Sequence, residues 1–194
     1  MKAIKPALAG MLAISVLQGC AAVAAGAVVT TIWIANDDRT TGTLIDDQGI
    51  QVQALNELYA LDEIGDQDRI KVESYNGVVL LIGEVTDESK KELATRTVQP
   101  LGGVRRVVNE LAIQEQPDLG DRSEDRLLST RVNSALATNN TIKGFDATRV
   151  SVSTARNTVY LMGLVTRAEG DAVTEVVRNV RGVERVVKVF EYTD

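Results

Sequence analysis

Histidine is absent from this 194-residue chain, and cysteine occurs once, at Cys20. Without histidine the chain cannot form a histidine-based catalytic triad, and most zinc sites are excluded. A single cysteine cannot form an internal disulfide, and a thiol nucleophile would lack its usual histidine base. Aromatic residues make up only 4% of the chain, so any core must be aliphatic. The composition favours a binding or structural protein over an enzyme, and no cofactor is predicted.

The chain has an acidic excess, with 27 acidic and 21 basic residues. This balance argues against a nucleic-acid partner, because nucleic-acid-binding domains usually carry a basic excess. One group of acids in the first half could suggest Ca²⁺, but its spacing lacks the EF-hand ladder. We therefore expect a solvated loop and no metal site at Asp62, Glu63, Asp66 and Asp68.

The N-terminus has the pattern of a secretory signal. Two lysines precede an apolar stretch, which ends in Leu17-Gln18-Gly19-Cys20. A small residue followed by cysteine resembles the bacterial lipobox. This resemblance implies that Cys20 becomes the first residue of the mature protein and carries acyl chains on its sulfur and amino group. Alanine at the next position implies sorting to the outer membrane.

Two other interpretations of this segment stay open. The stretch from Ala7 to Ala35 is almost free of charge and long enough to span a bilayer as an uncleaved anchor. Its proline and glycines would, however, make a poor continuous helix. The segment could also be buried in a core.

The rest of the chain contains an internal repeat. The segment RIKVESYNGVVLLIGEVT, residues 69–86, aligns without a gap with RVSVSTARNTVYLMGLVT, residues 149–166. Further on, GGVRRVVNEL, residues 102–111, matches RGVERVVKVF, residues 181–190. Two copies are too few for a solenoid, so we expect two copies of one small domain.

Each copy starts its sheet with a strand in which polar and apolar residues alternate. An Asn-Gly pair at 76–77, and an Arg-Asn pair at 156–157, then predict a tight hairpin. The return strands are uniformly apolar until Gly83 and Gly163 interrupt them. These glycines indicate a bulge or a close approach of backbone.

A helix and a last strand complete each copy. Thr166 with Glu169 fits the capping box, and Thr86 is predicted as the matching cap in the first copy. The last strands are predicted at 104–113 and 183–192.

One further helix precedes each hairpin, at 49–61 and at 123–138. Asp121 and Ser123 are the candidate caps of the second. The predicted fold class is therefore α+β. It consists of two tandem αββαβ domains, each with two helices packed on a three-stranded mixed sheet.

This order of elements resembles the BON domain. The residues that carry the resemblance are NGVVLLIGEV, NTVYLMGLV and the Gly-Val-x-x-Val endings at 103–107 and 182–186. A lipobox, a polar tether and two such copies together resemble the dual-BON lipoproteins of the bacterial outer membrane. The resemblance implies a lipid anchor at the periplasmic face of that membrane. It also implies a role in envelope integrity, enrichment at the division site, and binding of anionic phospholipid (phosphatidylglycerol or cardiolipin), chiefly through the second copy.

The expected organisation has five parts. Residues 1–19 are a signal peptide and 20–46 a lipidated tether. Residues 47–115 form the first BON domain, 116–122 a linker, and 123–194 the second BON domain.

The charge of the two copies differs in a way that bears on lipid binding. Residues 47–116 contain 13 acids and 7 bases, whereas residues 117–194 contain 11 of each. Nine of the bases in the second copy are arginines, whose forked hydrogen bonds suit phosphate. A solvated surface of mixed sign would have the same composition, so charge alone leaves both interpretations open.

The first helix of the second copy provides the candidate contact residues. Leu128 lies on the predicted core face, and Leu127 lies about 100° away on the flank. An apolar residue beside arginine on a helix flank is typical of an interfacial helix. The predicted phospholipid-binding residues are Arg126, Leu127, Leu128, Arg131 and Ser134. Alternatively, Leu127 only widens the core stripe or contacts the first copy.

Two functions of different classes follow. The first is a non-enzymatic, lipid-anchored protein that binds anionic phospholipid. The second is an envelope scaffold that binds protein partners, such as outer-membrane assembly or peptidoglycan-remodelling machinery.

Overall fold

The repeat in the sequence corresponds to two αββαβ units. The computed structural model describes residues 41–116, 119–138 and 147–194, which all belong to one compact unit. The first copy consists of α1 Thr41–Tyr59, β1 Arg69–Tyr75, β2 Val78–Val85, α2 Glu88–Val98 and β3 Arg106–Ile113. The second copy consists of α3 Leu119–Thr138, a 3₁₀ turn Ala147–Arg149, β4 Val150–Ala155, β5 Thr158–Val165, α4 Arg167–Arg178 and β6 Arg185–Tyr192. The predictions for Cys20 and for a spanning segment up to Ala35 lie outside the described residues.

Both copies form the mixed sheet that the sequence predicts. The hairpin strands pair antiparallel, and the last strand pairs parallel to the return strand, which is therefore central. The two turn residues of each hairpin have positive φ, at 52° and 71° for Asn76 and Gly77 and at 49° and 56° for Arg156 and Asn157. This is the geometry of a two-residue hairpin turn whose twist matches that of the strands, so both hairpin predictions are confirmed.

The central strands are buried on both faces, which explains their uniformly apolar sequence. One face of β2, including Val79 and Leu81, packs under α1 and α2 in the core of the first copy. Val159 and Leu161 of β5 do the same in the second copy. Because side chains of a strand alternate between faces, the residues between them point away from the helices.

Those alternate residues form a third apolar cluster, in which the sheets of the two copies pack against each other. Tyr75, Val78, Leu80 and Ile82 come from the first copy, and Ala155, Tyr160, Met162 and Val189 from the second. The helices of both copies therefore lie on the outer sides of two facing sheets. Burial raises the pKa of Tyr160 in this cluster, although the charge of the nearby Arg185 opposes the shift.

Ion pairs surround the apolar contact between the sheets. Arg105 pairs with Glu191 at 2.8 Å, and Arg185 pairs with Glu110 at 3.1 Å. The most buried acid of this set, Glu84, pairs with Arg156 at 3.1 Å across the contact. Its second oxygen lies 3.6 Å from the Arg69 guanidinium of its own copy.

The first helix of each copy begins earlier than predicted. Helix α1 starts at Thr41 rather than Gly49 and ends at Tyr59 rather than Leu61, so residues 41–46 are helical. Residues 41–46 contain two threonines and a glycine, which are weak helix formers, and the tertiary contacts of this helix begin just after them, at Asp47 and Ile50. Helix α3 starts at Leu119, so Asp121 and Ser123 lie inside it and are not its caps. Within the described ranges, no helix is both long and apolar enough to cross a bilayer.

The second helices and last strands differ from prediction in detail. The capping box of Thr166 and Glu169 is confirmed, with both reciprocal hydrogen bonds present. In the first copy the cap is Asp87 and not Thr86, because the Asp87 carboxylate accepts the Lys90 N–H at 3.0 Å. The last strands start two residues later than predicted, since the residues at 104 and 183 donate their N–H groups within the preceding turns.

Candidate functional site

A cleft of about 560 Å³ opens beside α3 in the second copy. Helix α3 forms one wall, the β4–β5 turn contributes a second, and the turn between α4 and β6 forms a third. Its lining residues are Glu124, Leu127, Leu128, Arg131, Asn157, Arg181 and Gly182.

Arg131 bridges from the helix to the opposite turn. Its guanidinium donates a hydrogen bond to the Arg181 carbonyl at 3.4 Å. Gly182 has a φ of +100°, and a Cβ there would lie 3.3 Å from the Arg131 guanidinium. Glycine therefore permits both the left-handed turn and the close approach of this arginine. The result is two arginines, one from each wall, at the same cleft.

Leu127 and Leu128 have different positions, although they are adjacent in sequence. Leu127 leaves 55% of its surface exposed at the cleft, so it does not simply widen the core stripe. Leu128 is 1% exposed and packs in the core of the second copy. Leu128 is therefore a core residue at the base of the cleft. Because it is buried, it is not available for the direct phospholipid contact that the sequence predicted.

The other two predicted contact residues lie on α3 outside the cleft lining. Arg126 is exposed next to Leu127 in the chain, and Ser134 is exposed about one turn beyond Arg131. The structure thus brings Leu127, Leu128 and Arg131 together and leaves Arg126 and Ser134 at the margin.

Sequence reasoning missed the parts of the cleft that do not belong to α3. Asn157 belongs to the hairpin turn, Gly182 is the first residue of the Gly-Val-x-x-Val ending, and Arg181 directly precedes it. Both motifs were visible as repeats, but nothing in the sequence indicated that they meet the same helix. Glu124 lies on α3 itself, two helical turns before Arg131.

One buried carboxylate positions the hairpin turn at the edge of this cleft. Asp125 accepts the N–H groups of Arg156 and Asn157 at 3.1 and 3.3 Å. In the first copy Asp47 has the same role, and it accepts hydrogen bonds from Ser74 at 2.6 Å, from the Asn76 N–H at 2.7 Å and from the Gly77 N–H at 2.9 Å. These two acids establish which residues of α1 and α3 are equivalent.

The first copy has an equivalent cleft, of about 730 Å³. Every residue that lines the second cleft has a counterpart that lines the first. On the first helices, Glu124, Leu127, Leu128 and Arg131 correspond to Asp46, Gly49, Ile50 and Gln53. In the turns, Asn157, Arg181 and Gly182 correspond to Gly77, Gly102 and Gly103. The exposed leucine and both arginines of the second cleft are thus replaced by glycine, glutamine and glycine.

Arg105 is the basic residue of the first cleft, and its guanidinium is already engaged. It donates to the Asn76 carbonyl at 2.9 Å and pairs with Glu191 at 2.8 Å. In chemical terms, the second cleft offers two arginines and the exposed Leu127 to a ligand, whereas the first offers one engaged arginine, the exposed Ile45, and amide and carboxylate groups.

Comparison with known proteins agrees with this division into two copies. The profile of the BON domain matches residues 46–115 and again residues 124–194. The chain therefore belongs to the BON domain family, as a protein with two copies of the domain.

Two curated proteins are similar over most of the chain. One is the "Outer membrane lipoprotein DolP" of Haemophilus influenzae, 35% identical over 178 residues, which are 92% of this chain and 91% of that protein. The other is the "21 kDa hemolysin" of Actinobacillus pleuropneumoniae, 36% identical over 156 residues, which are 80% and 79% of the two chains. A solved C-terminal domain of CdsD, a structural protein of the Type III secretion system of Chlamydia trachomatis, covers 74% of this chain and 99% of its own at 15% identity. Its TM-score of 0.27 is too low to support an inference.

Proposed function

We propose that this protein is a non-enzymatic outer-membrane lipoprotein that binds anionic phospholipid through the cleft of its second BON domain. Similarity to the Haemophilus outer membrane lipoprotein supports the location. Acyl chains on Cys20 would supply the attachment, since more than one chain makes membrane binding stable. We further propose that the protein faces the periplasm, supports envelope integrity and is enriched at the division site.

The difference between the two clefts is the observation that carries the phospholipid proposal. A lipid surface needs an apolar side chain for the acyl boundary and cations for the phosphate layer. Leu127, Arg131 and Arg181 provide these together at the second cleft. The first cleft has none of the three at the equivalent positions, and its own arginine, Arg105, is paired with Glu191, so it is the natural control.

The proposal is tested by flotation with vesicles of phosphatidylglycerol and phosphatidylcholine, using protein that lacks the signal peptide and carries Cys20→Ser. Leu127→Glu should weaken binding to the phosphatidylglycerol vesicles about tenfold or more, because it replaces burial of a leucine by burial of a charge. Val52→Glu is the matched control on the first helix of the first copy, where Val52 is 60% exposed. It should leave binding unchanged.

Two results would contradict the proposal. Equal binding to neutral phosphatidylcholine vesicles would remove the role of the headgroup. Equal losses from Leu127→Glu and Val52→Glu would mean that binding is not confined to the second copy.

A second candidate function, a scaffold for an envelope protein, is favoured by a different surface. Ile45, Val52 and Tyr59 are exposed at intervals of seven residues along α1. This spacing places them on one helical face, as in a helix that packs against a partner helix. A photocrosslinker at Val52 would test this function, because protein adducts there, rather than lipid adducts at Leu127, would favour the scaffold.

A further inference from the structure

The hairpin turn that forms one wall of the second cleft contains a residue in a strained conformation. Arg156 has a φ of 49°, in the left-handed region that arginine rarely adopts, and Asn157 follows with a φ of 56°. The first copy has Asn76 and Gly77 at these places, which are the residues that favour this type of turn. A strained residue persists where the contacts around it fix its conformation, so the contacts of Arg156 should account for it.

The backbone and the side chain of Arg156 are held by different copies. Its N–H donates to Asp125 of α3, in its own copy, at 3.1 Å. Its guanidinium reaches the first copy, where Nε donates to Glu84 at 3.1 Å and Nη2 donates to the Glu115 carbonyl. The turn beside the second cleft is therefore fixed by its own helix on one side and by the first copy on the other.

Glu84 is well placed to fix this arginine. It is 1% exposed and belongs to β2, the central strand of the first sheet, so its carboxylate has little freedom to move. Its second oxygen lies 3.6 Å from the Arg69 guanidinium, and no hydrogen bond engages that oxygen within the described residues. The bond from Arg156 joins a guanidinium to a buried carboxylate, and charge-assisted bonds of this kind are the stronger ones.

The turn of the first copy also contacts the other copy, but its conformation depends less on that contact. The Asn76 side-chain amide donates to Glu191 at 2.7 Å. However, an Asn-Gly pair adopts the left-handed turn at little cost. Asp47 also accepts the N–H groups of Asn76 and Gly77 at 2.7 and 2.9 Å. We therefore expect the dependence of a turn on the other copy to be larger in the second copy.

We infer that the first copy positions one wall of the second cleft through Glu84, which is thus a positioning residue for a site in the other domain. The contact between Glu84 and Arg156 offsets the strain of the turn, and Asn157 is thereby held at the edge of the cleft. This inference is independent of which ligand the cleft binds. It gives the first copy a role at the second cleft in addition to the packing of the two sheets.

Amide hydrogen exchange of the full chain in detergent micelles, followed by NMR, tests this role. Glu84→Gln retains the shape of the side chain but removes its charge. It should accelerate exchange of the Arg156 and Asn157 amides about tenfold, the effect of losing one charge-assisted hydrogen bond. The Gly77 amide, in the equivalent turn, should change less than about twofold, because a general loss of stability would accelerate both turns alike.

Glu73→Gln is the matched control. Glu73 is also an acid of the first copy that accepts a hydrogen bond from the second, from Ser153 at 2.9 Å, but Ser153 lies in β4 outside the turn. This variant should change exchange of the Asn157 and Gly77 amides less than about twofold. Glu191→Gln should accelerate the Gly77 amide less than Glu84→Gln accelerates the Asn157 amide.

Substitutions of Arg156 test the strain separately and do not require a change at Glu84. Arg156→Gln and Arg156→Asn both remove the guanidinium, but only asparagine adopts the left-handed conformation readily. Exchange of the Asn157 amide should therefore be about fivefold faster in Arg156→Gln than in Arg156→Asn. When Arg156→Asn is already present, adding Glu84→Gln should change this exchange less than about twofold.

Four results would overturn the inference. The first is an Asn157 amide that Glu84→Gln leaves unchanged or accelerates no more than the Gly77 amide. The second is an equal effect of Glu73→Gln. The third is equal exchange in Arg156→Gln and Arg156→Asn, and the fourth is a tenfold effect of Glu84→Gln in the presence of Arg156→Asn. No phospholipid is added, so these results leave the test of the proposed function separate.

Discussion

In the first copy, the cleft beside the first helix presents Gly49, Gln53 and Gly102, whereas the same places in the second copy hold Leu127, Arg131 and Arg181. The backbone around these residues is equivalent, with the same strand order and the same hairpin geometry. Three side chains therefore change what the cleft can bind without changing how the domain folds. For a duplicated domain, the informative positions are those that line the same cavity but differ in chemistry.

The residues that both copies share have a structural role, because they determine the course of the backbone. A buried aspartate holds each hairpin turn, at Asp47 and Asp125. A glycine in each return strand, Gly83 or Gly163, lies against the chain at the start of the neighbouring strand. Replacing the equivalent residue in each copy tests whether the same substitution lowers the free energy of unfolding by the same amount in both.

The largest effect is expected at the glycines of the return strands. A Cβ at Gly83 would lie 2.0 Å from the Arg69 carbonyl oxygen, and one at Gly163 would lie 2.6 Å from that of Arg149. Gly83 also has a φ of +122°, which strains any other residue. We expect Gly83→Ala to lower the free energy of unfolding by more than about 3 kcal/mol, and Gly163→Ala by about 2 kcal/mol. Urea unfolding measures both.

Gly49→Ala is the control for these substitutions. Gly49 lies inside α1, and no atom lies within 4 Å of the position of an added Cβ. Alanine there should stabilise the protein by roughly 0.5–1 kcal/mol through helix propensity. Equal losses at Gly83 and Gly163 would mean that the strained φ of Gly83 adds nothing to the steric cost.

A smaller effect is expected at the aspartates that hold the hairpin turns. Asp47 accepts three hydrogen bonds of 2.6–2.9 Å, whereas Asp125 accepts two longer ones from its turn. Removing either carboxylate leaves buried N–H groups without acceptors. We expect Asp47→Ala to cost about 3 kcal/mol and Asp125→Ala about 1.5 kcal/mol in urea unfolding. A larger cost at Asp125 would show that hydrogen-bond number and length do not rank these two turns.

The fold could be predicted from the sequence because each local pattern occurs in both copies of the repeat. The hairpin pairs, the capping box at Thr166 and the alternation of β1 are local signals with local causes, and these were confirmed. The start of α1 was not accessible, since the hydrogen bonds that hold this helix to the hairpin, through Asp47, join residues about thirty positions apart. Local propensity does not contain that information.

The packing of the two sheets had a sequence signal that was not used. A strand buried on one face alternates, whereas β2 is uninterruptedly apolar over residues 78–82 and β5 over residues 159–162. That difference already implies a second partner surface, and Glu84 within β2 implies a cation nearby, which proves to be Arg156 of the other copy. At the cleft, the helical residues could be predicted from periodicity, but Arg181 could not, because its position depends on the tertiary approach of a turn.

The smallest predicted effect concerns how the free energy of unfolding falls at low pH, which depends on a different acid in each copy. Asp68 is buried and hydrogen-bonded, so the prediction of a solvated loop is wrong for this residue. Burial opposes its ionisation, but hydrogen bonds from Lys90, Gly65 and Thr86 outweigh the burial and lower its pKa below the usual 3.8. A lowered pKa in the folded state stabilises the protein above the unfolded pKa and is lost as pH falls through the folded value.

Asp68→Asn should therefore cost about 1 kcal/mol near neutral pH and flatten the decline in unfolding free energy below about pH 4. The second copy has Thr148 at this position, and its helix entry depends instead on Glu169, whose pKa is lowered by the Thr166 N–H and by Arg149. Glu169→Gln is thus the counterpart, with its loss starting from the higher usual value of 4.5. Urea unfolding between pH 2.5 and 7 measures both variants. An Asp68→Asn profile parallel to that of the unsubstituted protein would show that the acid sensitivity resides elsewhere. A flattened profile would assign it to the Asp68–Lys90 ion pair of the first copy.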